Sequence, residues 1–474
     1  MKNRATACGD RPDLATLRCG FAGQILLPDE DAYDEARRVW NAMVDRRPAI
    51  IARCLSPSDV AAAVRFARDR DLEIGVRGGG HGVLGLAVPD GGLMLDLSLM
   101  GAVRVDPDRR RAWVQGGALL GALDRAAQPF GLATTAGNVS HTGVGGLTLG
   151  GGMGWLARRV GLACDNVARF EIVTADGEIL RASESENSDL FWGLRGGGGN
   201  FGVITEFEFR LHPVGTAALA ANLFYRPEDG PRIMRGWRDL LQDAPCQATF
   251  TAWVGTAGDW PFLPRDLRGR PLISVGYVWV GDLDQGRGVL PALREVTPPI
   301  AEQVEALTYV DLQRVDDDLQ RHRLRRYSSG QYLREFGDEA IDAFVSRGVP
   351  AGEGAGDPTL LPSGSLQAYG GAIAAVGRDE TAFSHRDTLV EFGASARWTH
   401  AAEDEARIAL ARRFSAAMEP FASGVYVNNL ADEGPLAVRR AYGADTRARL
   451  VALKDRYDPD NIFHLNQNIR PGSS

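Results

Sequence analysis

Short apolar runs broken by glycine alternate with amphipathic stretches through the first half of the chain. Residues 49–54 read as a short apolar strand. Ser56-Pro57-Ser58-Asp59 then opens a helix through Val60, Val64 and Ala67, with Ser56 or Ser58 as its cap. Residues 72–77 form the next strand and run into Gly78-Gly79-Gly80-His81-Gly82; residues 93–96 and 112–116 are further strands, and 118–130 a helix. The polar stretch 30–48 is expected to be helical. Asp176-Gly177 marks a tight turn between strands at 170–174 and 179–182. Residues 189–194 read as a short helix, and 202–211 as an alternating strand ended by His212-Pro213. The texture changes beyond about residue 217: strand-like runs at 248–254, 272–280 and 367–374 alternate with helical runs at 302–319 and 403–418. This predicts an α+β fold whose middle segment is an antiparallel sheet with helices on one face. Residues 350–362 read as a flexible loop.

Composition narrows the class. The 474 residues are 44% hydrophobic and 24% charged, a globular profile, and the net charge of −8 argues against nucleic-acid or acidic-membrane binding. The arginine runs 109–111 and 321–326 are short and balanced by nearby acids, so they read as solvated faces. The first twenty residues lack the apolar core of a signal peptide, and no apolar stretch is long enough to span a bilayer, so the cytoplasm is expected. Cys8, Cys19, Cys54, Cys164 and Cys246 are scattered without metal-ligand spacing; reduced thiols and no metal site are expected.

Glycine is the unusual residue, with 57 copies, many of them clustered at 75–92, 137–154 and 193–202. These clusters contain Leu, Val, Trp and His, unlike a flexible linker. They read as loops lining one extended cofactor, because glycine lets the backbone approach a ligand closely. Two matches to GxGxxG, at 80–85 and 197–202, fail the dinucleotide fingerprint. Pro89, Asp90, Gly91 and Gly92 break the helix that should follow the first, and a strand follows the second. The Arg77–Gly82 loop still suits an anion, since successive N–H groups form a nest and Arg77 can add charge. His81 is the residue of that loop to single out: a lone histidine is usually structural, and catalysis or cofactor attachment is the alternative.

The segment VRGGGHG (76–82) resembles the first signature of FAD-linked oxidases of the berberine bridge enzyme-like group, within the vanillyl-alcohol oxidase superfamily. Further segments match in order: AGNVSHTGVGGLTLGGGMG (136–154), Gly161-Leu162 with Asp165-Asn166, DLFWGLRGGGGNFGVIT (189–205), YVNN (426–429), YDPDNIF (457–463) and Asn466-Gln467-Asn468. The resemblance implies a PCMH-type FAD-binding domain built from residues 1–215 and 420–474, and a middle substrate-binding domain, 216–419. It implies FAD bonded at its 8α-methyl carbon to the loop histidine, His81. The pyrophosphate is then expected along 77–82 and 143–146, with the adenosine side near Val203 and Ile204. The cofactor-binding positions it implies are Arg77, Gly78, Gly79, Gly80, His81 and Gly82 in the first loop. In the second segment they are Gly137, Asn138, Val139, Thr142, Gly143, Gly145, Gly146, Leu147, Gly150, Gly151 and Gly154. Gly202, Val203, Ile204, Tyr426, Asn428 and Asn466 complete them.

Departures from the family pattern are informative. Members with two covalent links carry a cysteine where Val139 stands, so a single link through His81 is expected. Thr142 matches a position that governs dioxygen access and points to an oxidase. The tyrosine that serves many members as general base is replaced by Asn429, whose amide cannot take a proton. Tyr426 is expected near the flavin and His141 near the active site. A base, if needed, would come from the middle segment, with Tyr327, Tyr332 and Tyr369 as candidates by analogy. The expected reaction is hydride transfer from a small organic substrate to flavin N5, with dioxygen reduced to hydrogen peroxide. A dehydrogenase with another acceptor, a tailoring enzyme using flavin–oxygen chemistry, and a non-catalytic flavin binder are the alternatives.

Overall fold

Ile50–Arg53, Leu93–Asp96 and Ile74–Arg77 pair in parallel in that order, with Gln24–Leu26 antiparallel along the outer edge of Ile50–Arg53. The helix Pro57–Arg68 makes the crossover from the first of these strands, and Ser56 caps it by accepting from the Asp59 N–H (3.2 Å). The strands and this helix bury a common apolar core. A second, antiparallel sheet runs Val103–Asp106, Arg111–Gln115, Val203–Arg210, Val167–Val173, Ile179–Ser183. The protein is described here by a computed structural model covering residues 14–349, 357–430 and 434–472. Cys8, most of the N-terminal segment judged against a signal peptide, and residues 350–356 of the expected loop lie outside the described residues. Among the described residues, no helix is long and apolar enough to cross a membrane.

The middle of the chain forms a seven-stranded antiparallel sheet. The helices Gly230–Leu240, Leu290–Val296, Asp338–Val345 and Asp404–Met418 share one apolar core with residues from its strands, among them Leu223, Val275 and Phe392. On the other face, Ala218, Val278 and Val280 pack with Ala133 and Leu156 from the N-terminal part of the chain. Arg158 fastens the two parts. Its buried guanidinium donates to the carbonyls of Ala248 (2.9 Å), Ala244 (3.0 Å) and Tyr369.

Three expected elements differ. In 30–48 only Tyr33–Ala36 is helical. Beyond it the polar groups find distant partners: the Trp40 N–H donates to the Gly80 carbonyl (3.0 Å), and the Asn41 amide donates to the carbonyls of Val83 and Arg326 (2.8 and 3.1 Å). The expected helix 302–319 is instead the edge strand Ala301–Thr308 followed by one turn, Tyr309–Leu312. An edge strand pairs on one side only, so Glu302, Gln303 and Glu305 keep their contact with solvent there. The expected strand 367–374 ends early. Ser363–Ala368 is the strand, and Gly370 and Gly371, at φ +84° and +55°, turn the chain into a short helix, Ala372–Ala375.

The C-terminal motif is anchored by a buried ion pair. Lys454 and Asp458, one turn apart on the final helix Ala444–Tyr457 and its cap, both have fully buried side chains and meet at 2.7 Å. Lys454 also donates to the carbonyls of Asn200 and Phe463 (2.9 Å each), while Asp458 accepts from the N–H groups of Ile462 (2.7 Å) and Phe463 (2.9 Å). Lys454→Met would leave Asp458 buried without its countercharge. It is expected to cost about 3–5 kcal/mol, measured as a fall in the midpoint of urea or thermal unfolding.

Candidate active site

The first and second glycine clusters meet backbone to backbone. A side chain on Gly79 would collide with the backbone nitrogen of Gly143, and one on Gly143 with that of Gly79. Gly82, Gly146 and Gly199 have nothing within 4 Å of where a Cβ would stand. All five line a single cavity of about 440 Å³. Glycine therefore does two jobs here: it lets the loops touch, and it clears the space between them.

His81 sits on the cavity wall in a cluster of rings. Trp40 stacks on it at 4.1 Å between centroids, and its Nε2 lies 3.1 Å from Nδ1 of His141. The exposed His322 is 5.1 Å from His141, ring to ring. Burial, then the neighbouring His141, His322 and Arg326, hold the pKa of His81 well below the ordinary imidazole value, so the ring is neutral. Arg326 corrects the reading of the 321–326 run as a solvated face. It is buried over Trp40, 3.6 Å from the ring centroid, and donates to the Gln320 side chain (3.1 Å) and the carbonyl of Arg321 (2.5 Å).

A carboxylate stands behind Asn429. The register of the seven-stranded sheet puts Glu391 opposite both Tyr332 and Gln367, so the three side chains form one row. Glu391 accepts from the Asn429 amide at one oxygen (2.6 Å) and from the Tyr369 hydroxyl at the other (2.7 Å). Burial outweighs these donors and pushes its carboxyl up to about 7. Tyr426, on the cavity wall, has its hydroxyl held by the Gly152 N–H (2.9 Å) and the Asn428 amide (3.0 Å). Burial drives its pKa far above the ordinary phenol value, so it stays protonated.

The structure sorts the residues singled out by sequence. Gly78, Gly79, Gly80, His81 and Gly82 line the cavity. So do Thr142, Gly143, Gly145, Gly146 and Leu147, then Gly202, Val203, Ile204, Tyr426, Asn428, Asn429 and Asn466. Arg77 does not. Its guanidinium is bound to Asp96 (3.0 Å to one oxygen) and to the carbonyls of Ala36 and Arg38, so its charge is already neutralised. Gly137 and Gly154 serve each other, since a side chain on Gly154 would strike the Gly137 backbone. Gly150 makes room for the Asn428 amide and Gly151 for the Phe383 ring. The Asn138 amide donates to Gln367 (3.1 Å), and the Val139 carbonyl accepts from the Thr142 N–H (3.2 Å). None of these six lines the cavity. His141 stands behind His81, and Tyr369 behind Glu391. Tyr332 is wholly buried beside Tyr369, and Tyr327 packs with Met43 and Trp398 in a separate apolar cluster. Sequence reasoning missed Trp40, His322 and Glu391. Among the described residues, no group of three or more potential ligands could hold a metal ion.

Two family models match the chain: one described as FAD binding domain over residues 48–183, and one described as berberine and berberine like over residues 425–470. The (R)-6-hydroxynicotine oxidase of Paenarthrobacter nicotinovorans is 31% identical over 471 residues, 95% of this chain and 97% of the relative. The chain belongs to the berberine bridge enzyme-like FAD-linked oxidases. The glucooligosaccharide oxidase of Sarocladium strictum is 30% identical, covering 96% of this chain and 94% of its own. The crystal structure of 6-hydroxy-D-nicotine oxidase from Arthrobacter nicotinovorans matches with a TM-score of 0.83 at 30% identity, over 95% of this chain and 98% of that one. The glucooligosaccharide oxidase of Acremonium strictum, whose FAD is described as 6-S-cysteinyl and 8α-N1-histidyl, matches with a TM-score of 0.83 at 25% identity, over 96% and 98%.

The protein is thus an FAD-dependent oxidoreductase of this berberine bridge enzyme-like family, and its cavity suits the cofactor. The glycine-cleared floor leaves room that side chains would fill, and the side-chain amide oxygen of Asn466, on its wall, is buried without a partner among the described residues. Gly143→Ala should force the two loops apart. A stability loss of about 1–3 kcal/mol is expected, together with a lower FAD content of the purified protein by its flavin absorbance.

Proposed function

We propose that this enzyme carries FAD through a single covalent bond at His81 and oxidises a small organic substrate, an alcohol, amine or secondary-metabolite intermediate, with dioxygen as acceptor. The observation that carries the reading is that His81, Thr142, Tyr426 and Asn429 line one cavity, with the Glu391 carboxylate directly behind Asn429. Val139 in place of a cysteine supports the single link. FAD, when bound, supplies hydride acceptance at N5 and passes the electrons to dioxygen. The chain's own residues do the rest. Tyr426, held by two donors, is a fixed and protonated wall. Glu391, behind Asn429 on the cavity wall, receives the proton of the substrate O–H or N–H once the Asn429 amide gives way, as the C–H hydride departs, a role that Asn429 cannot fill. The names of the relatives, a hydroxynicotine oxidase and a glucooligosaccharide oxidase, support a small-molecule substrate. The free thiols of Cys19, Cys54, Cys164 and Cys246 support a cytoplasmic site of action.

Acid precipitation should give a yellow pellet, and the peptide containing His81 should be heavier by one FAD. Colourless pellets, with flavin left in solution, would remove the covalent bond. With a substrate found by screening, peroxide should form in equal amount to product; labelled dioxygen in the product instead would make the enzyme an oxygenase.

Glu391 must be ionised to accept a proton, so kcat/KM should rise with pH through about 7 and level off above it. Glu391→Gln should abolish that rise and lower the rate about a hundredfold. A variant that keeps the same pH profile would assign the proton to another group.

A further inference from the structure

Three of the seven histidines gather at one end of the cavity, although they come from positions 81, 141 and 322. His81 and His141 share a hydrogen bond through Nε2 of the first and Nδ1 of the second (3.1 Å). The charged and titratable groups acting on His81 are His141, His322 and Arg326, with no carboxylate among them. A proton leaving His81 Nε2 therefore has an imidazole as its nearest acceptor. His141 Nε2 is itself buried, with no hydrogen-bond partner among the described residues. The exposed ring of His322 lies next in line, 5.1 Å away, and opens a path to solvent. Trp40, stacked 19° from parallel, fixes the plane of the His81 ring.

We propose that His141, backed by His322, accepts the Nε2 proton of His81 during attachment of FAD, which makes His81 Nδ1 the nitrogen that bonds to the flavin. The inference rests on the covalent link proposed above. A neutral imidazole has one lone-pair nitrogen, and donation from Nε2 to His141 makes that nitrogen Nδ1. His81 Nδ1 forms the bond to the 8-methyl carbon. One methyl hydrogen and the Nε2 hydrogen leave as protons, and the C–H electron pair stays on the ring system. Dioxygen then takes up that pair with both protons as hydrogen peroxide. Without His141 the new bond would create a buried imidazolium beside Arg326. The low proton affinity of His81 agrees with a ring that must stay neutral before it reacts. His141 is thus a positioning residue: it acts on the cofactor through His81.

The test follows attachment itself. Full-length protein produced in flavin-starved cells is mixed with saturating FAD, and the covalent product is timed by in-gel flavin fluorescence and by the mass of the His81 peptide. Wild type should attach FAD, at a rate that rises with pH. His141→Ala should bind FAD as tightly, by quenching of its fluorescence, yet attach it about a hundredfold more slowly. Added imidazole should restore much of that rate, and His141→Gln, which cannot take a proton, should stay slow. Attachment at the wild-type rate in His141→Ala, no effect of imidazole, or loss of FAD binding together with attachment would each overturn the assignment. A wild-type protein that binds FAD but never bonds it would instead overturn the covalent reading on which the assignment depends.

Discussion

The contact between the Gly79 and Gly143 backbones is the constraint on which the site depends. It brings the loop after one parallel strand against the start of the helix Val144–Leu149. His81 follows one of these glycines closely, and His141 and Thr142 precede the other. The closeness of the imidazoles is thus set by main-chain packing, which allows far less adjustment than side chains do. A methyl group at either glycine would separate His81 from His141.

The C-terminal part of the cavity wall is held by charge. The Lys454–Asp458 pair satisfies carbonyls of both the Asn200 loop and Phe463, and amides of the C-terminal motif. Burying two charges is unfavourable unless every donor and acceptor is used, and here most are. The gain is specificity of position, since chain segments more than two hundred residues apart meet in one arrangement. Arg158 does the same for the sheet with backbone carbonyls alone, spreading its charge over three peptide dipoles.

Much of this was legible in the sequence because backbone constraints leave a local mark. Only glycine fits where Gly79 meets Gly143, whatever surrounds it, and the short apolar strands of the N-terminal half announce themselves by composition. The edge strand Ala301–Thr308 left no such mark: its acids face water, and they suit a helix equally well. Glu391 became visible only through register, since its neighbours Gln367 and Tyr332 lie on strands distant in sequence. His322 was hidden in a basic run whose charge suggested solvent, whereas Trp40 draws Arg326 inward. Arg77 misled for the converse reason. A charge beside a glycine nest looks free until the Asp96 that neutralises it is placed.

The cavity wall is contributed by both ends of the chain, with Gly78–Gly82 near the start and Tyr426 to Gln467 near the finish. A ribosome extends the chain from the first toward the last. FAD therefore cannot find its whole cradle until residues 426–467 have been made. A product cut short before Tyr426 keeps His81 but lacks the wall that would hold a flavin beside it.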